Sequence, residues 1–250
     1  MTELELIIDL HKNSERQGPG AEKDTLKALA FLNLPTDQKL KVADIGCGSG
    51  GQTITLAKTI NGQITAVDLF PEFLVELNEK SQKLELTDKI VTLEKSMEDL
   101  PFNKEEFDLI WSEGAIYNIG FENGLIKWKD YLKVGGYLAV GELTWITQSR
   151  PKEIENFWKE EYPEIDIASN KIKQLEHNGY TLVGYFYLSE DRWIQNYYKP
   201  MEARFNTFLK RHKNSELAKK VVDEHKAEID LYKKYKEYYS YGFYVARKNE

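Results

Sequence analysis

Residues 42–51 read Val-Ala-Asp-Ile-Gly-Cys-Gly-Ser-Gly-Gly, and they join an apolar strand to a helix over residues 52–60. Gly46, Gly48 and Gly51 fit the pattern G-x-G-x-x-G, in which glycines allow a tight turn and the next helix presents free N–H groups. Such a turn lets the backbone approach a ligand closely. The stretch therefore predicts a strand–turn–helix unit that binds a nucleotide.

Strands and helices alternate on the C-terminal side of this turn. The pattern predicts strands at 40–45, 63–68, 89–94, 107–112 and 136–142, separated by helices at 52–60, 71–83 and about 121–132. Five strands that alternate with helices are typical of a parallel α/β sheet covered on both faces. After residue 150 the sequence predicts a helix at about 169–178, strands at 180–188 and 240–247, and helical residues 190–239 between these two strands.

The length of 250 residues suits one large domain or two small ones, and we expect a single domain. Residues 1–35, with helices at 3–12 and 21–33, form an N-terminal cap. Residues 36–148 form the core. Residues 149–250 form a C-terminal part in which 190–239 are a helical insertion.

The composition of the chain argues against several classes of function and location. The formal charge of −7, from 34 Lys and Arg against 41 Asp and Glu, argues against binding of nucleic acid. The single cysteine, Cys47, forms no internal disulfide, and no apolar run approaches the ~20 residues of a membrane helix. Acids among the first residues argue against a signal peptide. We therefore expect a cytoplasmic protein with no membrane or nucleic-acid partner.

Two kinds of ligand fit the glycine turn. Asp68 ends the second strand about twenty residues after Gly46, where both dinucleotide oxidoreductases and S-adenosylmethionine enzymes place an acid for ribose hydroxyls. Asp44 lies two residues before Gly46. A carboxylate there faces an ammonium group well and repels a pyrophosphate, which favours a ligand with an amino-acid moiety.

Several motifs, in order and at the usual spacing, resemble class I S-adenosylmethionine-dependent methyltransferases. Residues 42–51 resemble the first motif of that family, and Ala66-Val67-Asp68-Leu69 resembles its ribose motif. Residues 96–102 (Ser-Met-Glu-Asp-Leu-Pro-Phe) resemble the adenine-side segment of the ubiquinone/menaquinone-biosynthesis type. Residues 107–111 and 132–136 resemble the fourth strand and the turn before the fifth.

This resemblance covers roughly residues 35–145. It implies a doubly wound, Rossmann-like sheet of seven strands with the last strand antiparallel. It also implies transfer of a methyl group from S-adenosylmethionine to a small-molecule acceptor, with S-adenosylhomocysteine as the product.

The resemblance also implies a cofactor site. Its residues are Gln17, Gly18, Asp44, Gly46, Cys47, Gly48, Asp68, Leu69, Ser96 and Met97. Asp44 would orient the methionine ammonium group, directly or through water. Asp68 would accept both ribose hydroxyls, and Leu69 would pack on the adenine. Ser96 stands where the family often has an aspartate, and its hydroxyl accepts a hydrogen bond more weakly.

Residues at the carboxyl edge of the sheet are candidates for the acceptor site, because open α/β sheets bind ligands there. Glu113 follows the fourth strand and is interpreted as a contact for the methionine ammonium group, as a catalytic base, or as a solvated loop carboxylate. The candidates for the acceptor pocket are His11, Tyr117, Asn118, Glu142, Trp145, Trp193 and Tyr197. Trp145 is equally well explained by packing.

The four histidines show no spacing typical of a metal site, so we expect no metal. Three of them, His177, His212 and His225, are expected at the surface or loosely packed. The aromatic helices of residues 190–239 must bury one face. We expect residues 193–198 to form a wall of the acceptor pocket and the later helices to form a homodimer; packing on the domain's own flank is the alternative.

Two other functions stay open at this stage. One is an NAD(P)-linked oxidoreductase, because the glycine turn and Asp68 also suit a dinucleotide. The other is a module that binds S-adenosylmethionine without turnover, which the serine at position 96 allows.

Overall fold

The computed structural model describes all residues from 1 to 250, and its first part consists of alternating strands and helices. The elements up to the fifth strand are α1 (Glu3–His11), α2 (Glu22–Leu29), β1 (Leu40–Ile45), α3 (Gly51–Thr59), β2 (Gly62–Asp68), α4 (Pro71–Lys83), β3 (Ile90–Glu94), β4 (Phe107–Glu113), a 3₁₀ turn (Ile116–Asn118), α5 (Phe121–Lys129) and β5 (Leu132–Trp145).

The second part contains most of the helical residues. Its elements are α6 (Lys152–Glu161), β6 (Asp166–Ile167), α7 (Ala168–His177), β7 (Tyr180–Tyr187), α8 (Glu190–Trp193), a π-helical turn (Ile194–Tyr198), α9 (Lys199–Arg211), α10 (Glu216–Tyr235) and β8 (Tyr239–Lys248).

The sheet has the order β3-β2-β1-β4-β5-β8-β7, and the two-residue strand β6 pairs with the end of β5. Strands β1 to β5 are parallel, whereas β8 runs antiparallel to β5 and β7. Every residue of β1 except Lys41 is buried, as expected for a central strand covered on both faces. The predicted seven-stranded sheet with its last strand antiparallel is confirmed.

Several elements differ from those predicted. Helix α6 was not predicted, and the fifth strand, predicted to begin at residue 136, begins at Leu132. Gly135 has a left-handed φ of 76°, which lets the strand continue through the Gly135-Gly136 pair. Helix α2 ends at Leu29, four residues earlier than predicted.

The N-terminal cap and the helical insertion cover the carboxyl edge of the sheet together. Helix α1 begins with a capping box between Thr2 and Glu5, and it packs on α9 and α10. The apolar cluster between them includes Leu6, Leu10, Trp145, Trp193, Tyr198, Phe205, Phe208, Tyr232 and Tyr239. Because the aromatic face of the insertion is buried within the chain, these residues do not require a partner subunit.

None of the helices has the length and apolar character that a bilayer-spanning segment needs.

Candidate active site

A cavity of about 1220 Å³ lies at the carboxyl edge of the sheet, under the cap and the insertion. Sites for a single small molecule usually measure ~300–1,000 Å³, so this cavity has room for two ligands. On its turn side it is lined by Gln17, Gly18, Gly46, Cys47, Gly48, Gln52, Asp68, Leu69, Ser96, Met97 and Glu113. On its aromatic side it is lined by Tyr117, Asn118, Phe157, Trp158, Glu161, Tyr162, Trp193, Tyr197, Glu224, His225, Glu228, Leu231 and Tyr241.

The glycine turn forms the floor of the turn side. Gly46 and Gly48 have φ values of 75° and 53°, in the left-handed region that favours glycine. A Cβ on Gly46 would lie 2.4 Å from the Cβ of Ala115. The backbone N–H groups of Gly46 and Cys47 both donate to the carbonyl of Val67, at 2.8 and 2.9 Å. The turn is therefore fixed to the end of β2.

Asp68 is the second element of the turn side. One carboxylate oxygen accepts the N–H of Gly48 at 2.8 Å, and the other accepts the N–H of Phe70 at 3.0 Å. Burial raises the pKa of Asp68, while these backbone hydrogen bonds oppose the shift. Each oxygen keeps lone-pair capacity for a ligand hydroxyl. The carboxylate thus holds the glycine turn and also faces the cavity.

The loop between α1 and α2 closes over the turn. Gln17 accepts the N–H of Ser49 at 2.7 Å and donates its Nε2 to the Ser49 hydroxyl at 3.0 Å. The Ser49 hydroxyl donates in turn to the carbonyl of Ser14 at 2.9 Å. The structure therefore places Gln17 and Gly18 beside the turn, at the position the sequence analysis gave them.

Glu113 is the anchor of this cap. Its Oε1 accepts from Thr25 Oγ1 at 2.7 Å and from Trp111 Nε1 at 2.9 Å, and its Oε2 pairs with the Arg16 guanidinium at 2.5 Å. Because donors occupy both oxygens, this geometry does not support the predicted role of catalytic base. Arg16, which the sequence analysis did not single out, is the residue that ties the loop to β4.

Asp44 does not line the cavity. It is fully buried, with Oδ2 accepting from Thr53 Oγ1 at 2.5 Å and Oδ1 from Gln52 Nε2 at 3.3 Å. Burial raises the pKa of Asp44 to about 7. A direct contact with a ligand ammonium group is therefore not available, and the acid reaches the cavity only through Gln52, which does line it.

Glu142 and Trp145 are two predicted pocket residues that the structure places elsewhere. Glu142 is fully buried and accepts from Lys171 Nζ at 2.8 Å and from the Tyr162 hydroxyl at 2.6 Å. Trp145 packs in the apolar cluster under α1, with the Arg150 guanidinium 4.2 Å from its ring centre. Because β5 continues to Trp145, both side chains lie within the sheet's own packing rather than at its free edge.

The predicted adenine-side residues and four of the predicted pocket residues line the cavity. Leu69, Ser96 and Met97 line the turn side, and Leu69 is 55% exposed. Tyr117 and Asn118 follow β4 in the 3₁₀ turn, where Asn118 donates to the carbonyl of Ala115 at 2.9 Å.

Trp193 and Tyr197 line the aromatic side. The ring of Trp193 stacks between Tyr232 and Tyr241, at centroid distances of 4.5 and 5.2 Å, and its Nε1 donates to Ser240 Oγ at 2.9 Å. The ring stack and this hydrogen bond hold Trp193 in place.

A pair of histidines lies beside Tyr197. His11 Nδ1 donates to the carbonyl of Ile7 at 2.9 Å, and His11 Nε2 accepts from the Tyr197 hydroxyl at 3.2 Å. The ring of His225 lies 5.3 Å from that of His11. His225 is half-buried and lines the cavity. His11 does not line the cavity, but it contacts two residues that do, Tyr197 and His225.

The buried His11 predicts a specific dependence of stability on pH. Burial lowers the pKa of His11 from 6.5 to about 4, so between these values the unfolded chain binds a proton that the folded protein does not. We therefore expect His11 to lower the free energy of unfolding by up to about 3 kcal/mol as the pH falls through that range. Urea unfolding of the wild type and of His11→Gln at several pH values measures the difference. Parallel pH curves for the two proteins would contradict the assignment.

The aromatic side also contains residues that the sequence analysis did not find. Phe157, Trp158 and Tyr162 come from α6 and the residue after it, and Glu228 and Leu231 come from α10. The helical periodicity of α10 was the one signal available, because it places Glu228 and Leu231 one turn apart on one face.

Comparisons with known proteins agree with this geometry. Residues 42–136 match the family model described as "Methyltransferase domain". The 27-O-demethylrifamycin SV methyltransferase of Amycolatopsis mediterranei is 24% identical over 110 residues, 44% of this chain and 40% of that protein. The erythromycin 3''-O-methyltransferase of Saccharopolyspora erythraea is 32% identical over 108 residues, 41% and 34% of the two chains. The chain spans less than half the length of these curated relatives.

A solved structure covers the whole chain. It is the crystal structure of an S-adenosylmethionine-dependent methyltransferase from Geobacter sulfurreducens in complex with S-adenosyl-L-homocysteine, with a TM-score of 0.84 at 18% identity over 100% of this chain and 99% of that one. Residues 42–136 are therefore similar to a methyltransferase domain, and the chain as a whole has the fold of this S-adenosylmethionine-dependent methyltransferase.

Proposed function

We propose that the protein transfers a methyl group from S-adenosylmethionine to a small-molecule acceptor. The single observation that carries this proposal is one cavity in which the glycine turn and Asp68 lie on one side and an aromatic wall on the other. The volume of about 1220 Å³ suits a cofactor and an acceptor together. The names of the two curated relatives, which describe methylation of small molecules, support it.

The residues of the turn side fit S-adenosylmethionine. The left-handed glycines leave room for a ligand against the backbone, Asp68 offers carboxylate oxygens to ribose hydroxyls, and the exposed Leu69 offers an apolar surface to the adenine. Gln17, Gly18 and Gln52 are the residues that would border the methionine end. When bound, the cofactor supplies a methyl group on a sulfonium, which is already a good leaving group.

The chain's own contribution is alignment. The cap and the insertion lie over the cavity, and their rings line the side opposite the turn, where they would hold an acceptor. Holding two reactants in line lowers a reaction barrier by ~7–11 kcal/mol. Because the sulfonium is already activated, alignment is the main requirement for this transfer. Glu113 is not free to act as a base, since it is paired with Arg16.

An NAD(P)-linked oxidoreductase is the competing proposal. The observation that keeps it open is that Asp44 does not face the cavity, so its charge does not repel a pyrophosphate directly.

A cytoplasmic location and a homodimer remain predictions. The homodimer lacks support from the aromatic face of the insertion, which is buried, and light scattering tests it directly.

Calorimetry with S-adenosylmethionine, S-adenosylhomocysteine, NADH and NADPH tests the proposal. We expect binding of the first two only, and formation of S-adenosylhomocysteine when an acceptor panel is added.

Asp68→Ala should weaken S-adenosylhomocysteine binding by ~2–4 kcal/mol, because hydrogen bonds to a charged acceptor are lost and the N–H of Gly48 loses its partner. Binding of a dinucleotide in preference, or an unchanged affinity in folded Asp68→Ala, would overturn the cofactor assignment.

A further inference from the structure

The charged residues of the aromatic side are all acidic. Glu161, Glu224 and Glu228 line it, and no lysine or arginine does. The two basic residues that line the cavity belong to its turn side: Arg16 is paired with Glu113, and Lys95 follows β3 next to Ser96. An acceptor with a carboxylate or phosphate would therefore meet repulsion from these acids. Arg204 lies near Tyr197 but does not line the cavity.

Glu228 is the acid of this side that lies deepest among aromatic residues. Its Oε1 accepts from the Tyr198 hydroxyl at 2.9 Å, and no lysine or arginine pairs with it. Burial raises the pKa of Glu228. Burial and then the charge of Glu228 also raise the pKa of Tyr197, so this tyrosine stays protonated. A carboxylate in such surroundings is stabilised when a ligand brings a positive charge.

Three tyrosines line the same side of the cavity as Glu228, and burial, helped by the charge of Glu228, raises the pKa of each: Tyr117, Tyr197 and Tyr241. Tyr197 adjoins Tyr198, the hydrogen-bond partner of Glu228, at a centroid distance of 5.1 Å. Tyr241 is held by stacking on Trp193, and Tyr117 by an edge contact with Tyr162 at 5.9 Å. Faces of tyrosine attract a cation within ~6 Å, and the attraction grows when the cation is removed from water.

We propose that the methyl acceptor carries an ammonium group, which binds between the carboxylate of Glu228 and the rings of Tyr117, Tyr197 and Tyr241. The inference rests on the proposed function, because it assigns the aromatic side to the acceptor. It defines the substrate class by charge: an acceptor with an amine that is cationic when it binds, rather than a carboxylic acid, a phosphate ester or a neutral alcohol. A protonated nitrogen has no lone pair to receive a methyl group, so if that nitrogen is the methylated atom its proton passes to the Glu228 carboxylate before the transfer.

Three probes of similar size and different charge test this inference. Calorimetry of the protein saturated with S-adenosylhomocysteine is done with phenethylamine, 2-phenylethanol and phenylacetate. We expect phenethylamine to bind at least tenfold more tightly than 2-phenylethanol, and phenylacetate to bind most weakly. Equal affinities for the amine and the alcohol, a preference for phenylacetate, or no binding of the amine at millimolar concentration would each overturn the inference.

Two variants on α10 test whether Glu228 causes the preference for the amine. Glu228→Gln should remove the tenfold preference for the amine while S-adenosylhomocysteine binds within twofold of wild type. Asp230→Asn, an exposed site on the same helix, should keep the preference. A preference that survives in folded Glu228→Gln would refute the role of this carboxylate. If S-adenosylhomocysteine itself does not bind the wild type, the proposed function fails; if it binds and the charge preference is absent, only the acceptor class fails.

Discussion

Replacing Lys171 by methionine should lower the free energy of unfolding by about 3–5 kcal/mol, the usual cost of removing one partner of a buried ion pair. Lys171 and Glu142 are both fully buried, and Lys171 Nζ lies 2.8 Å from Glu142 Oε1. The ammonium group also lies 4.6 Å from the ring centre of Phe121. Without Lys171, the Glu142 carboxylate keeps the Tyr162 hydroxyl as its remaining donor, and its Oε2 has no partner. Urea unfolding measures the loss.

A double substitution separates the charge from the packing. Lys171→Met with Glu142→Leu removes both charges, so it should be more stable than Lys171→Met alone. Lys173→Met, an exposed site on the same helix, should change stability by less than ~0.5 kcal/mol. The single variant Glu142→Leu completes the comparison. If the changes in unfolding free energy of Lys171→Met and Glu142→Leu sum to that of the double variant, the two residues are not coupled, and the ion pair does not stabilise the fold in the way the geometry indicates.

The cofactor half of the fold follows from local patterns, which is why the sequence was sufficient there. A glycine turn between a buried strand and a helix has strict requirements, and Gly46 and Gly48 meet them with left-handed φ values. Asp68 ends its strand, and the parallel pairing of β1 with β2 brings it to the turn. Pattern and spacing along the chain are enough for such a site.

The residues that were misplaced are those whose role depends on contacts between distant segments. Glu142 ends a predicted strand and Glu113 directly follows one, yet Glu142 is buried in the core, where it pairs with Lys171 from α7. Arg16 looks like an ordinary loop arginine in the sequence, because its partners lie on other elements: Thr25 on α2 and Glu113 on β4. No periodicity distinguishes a charged residue that will pair in the interior from one that will remain in water.

The acceptor side was the least predictable for the same reason. Its wall combines the 3₁₀ turn after β4, helix α6, the π-helical turn and helix α10. Trp193 and Tyr197 were found because an aromatic segment in an insertion must bury one face. Glu228 was not, since a glutamate in a lysine-rich helix ordinarily faces solvent.

Replacing Gly48 by valine should reduce the affinity for S-adenosylhomocysteine at least 1000-fold, about 4 kcal/mol. Gly48 has a φ of 53°, a conformation in which a β-branched residue is strained. A Cβ there would lie 2.2 Å from Gln17 Oε1, so the loop that caps the turn must move. The substitution thus changes the backbone of the turn, its hydrogen bond to Asp68 and the cap at once, and calorimetry of the folded variant measures the result.

The control for Gly48→Val is a glycine with the same strain but at another place. Gly135 has a φ of 76°, its added Cβ would lie 2.9 Å from Arg247 Nη2, and it does not line the cavity. Gly135→Val should therefore lower stability and leave the affinity for S-adenosylhomocysteine within twofold of wild type. Loss of binding in both variants would mean that strain anywhere in the fold disables the site. Wild-type affinity in folded Gly48→Val would remove the glycine turn from the cofactor site, because a branched side chain and a bound ligand cannot share the space above that backbone.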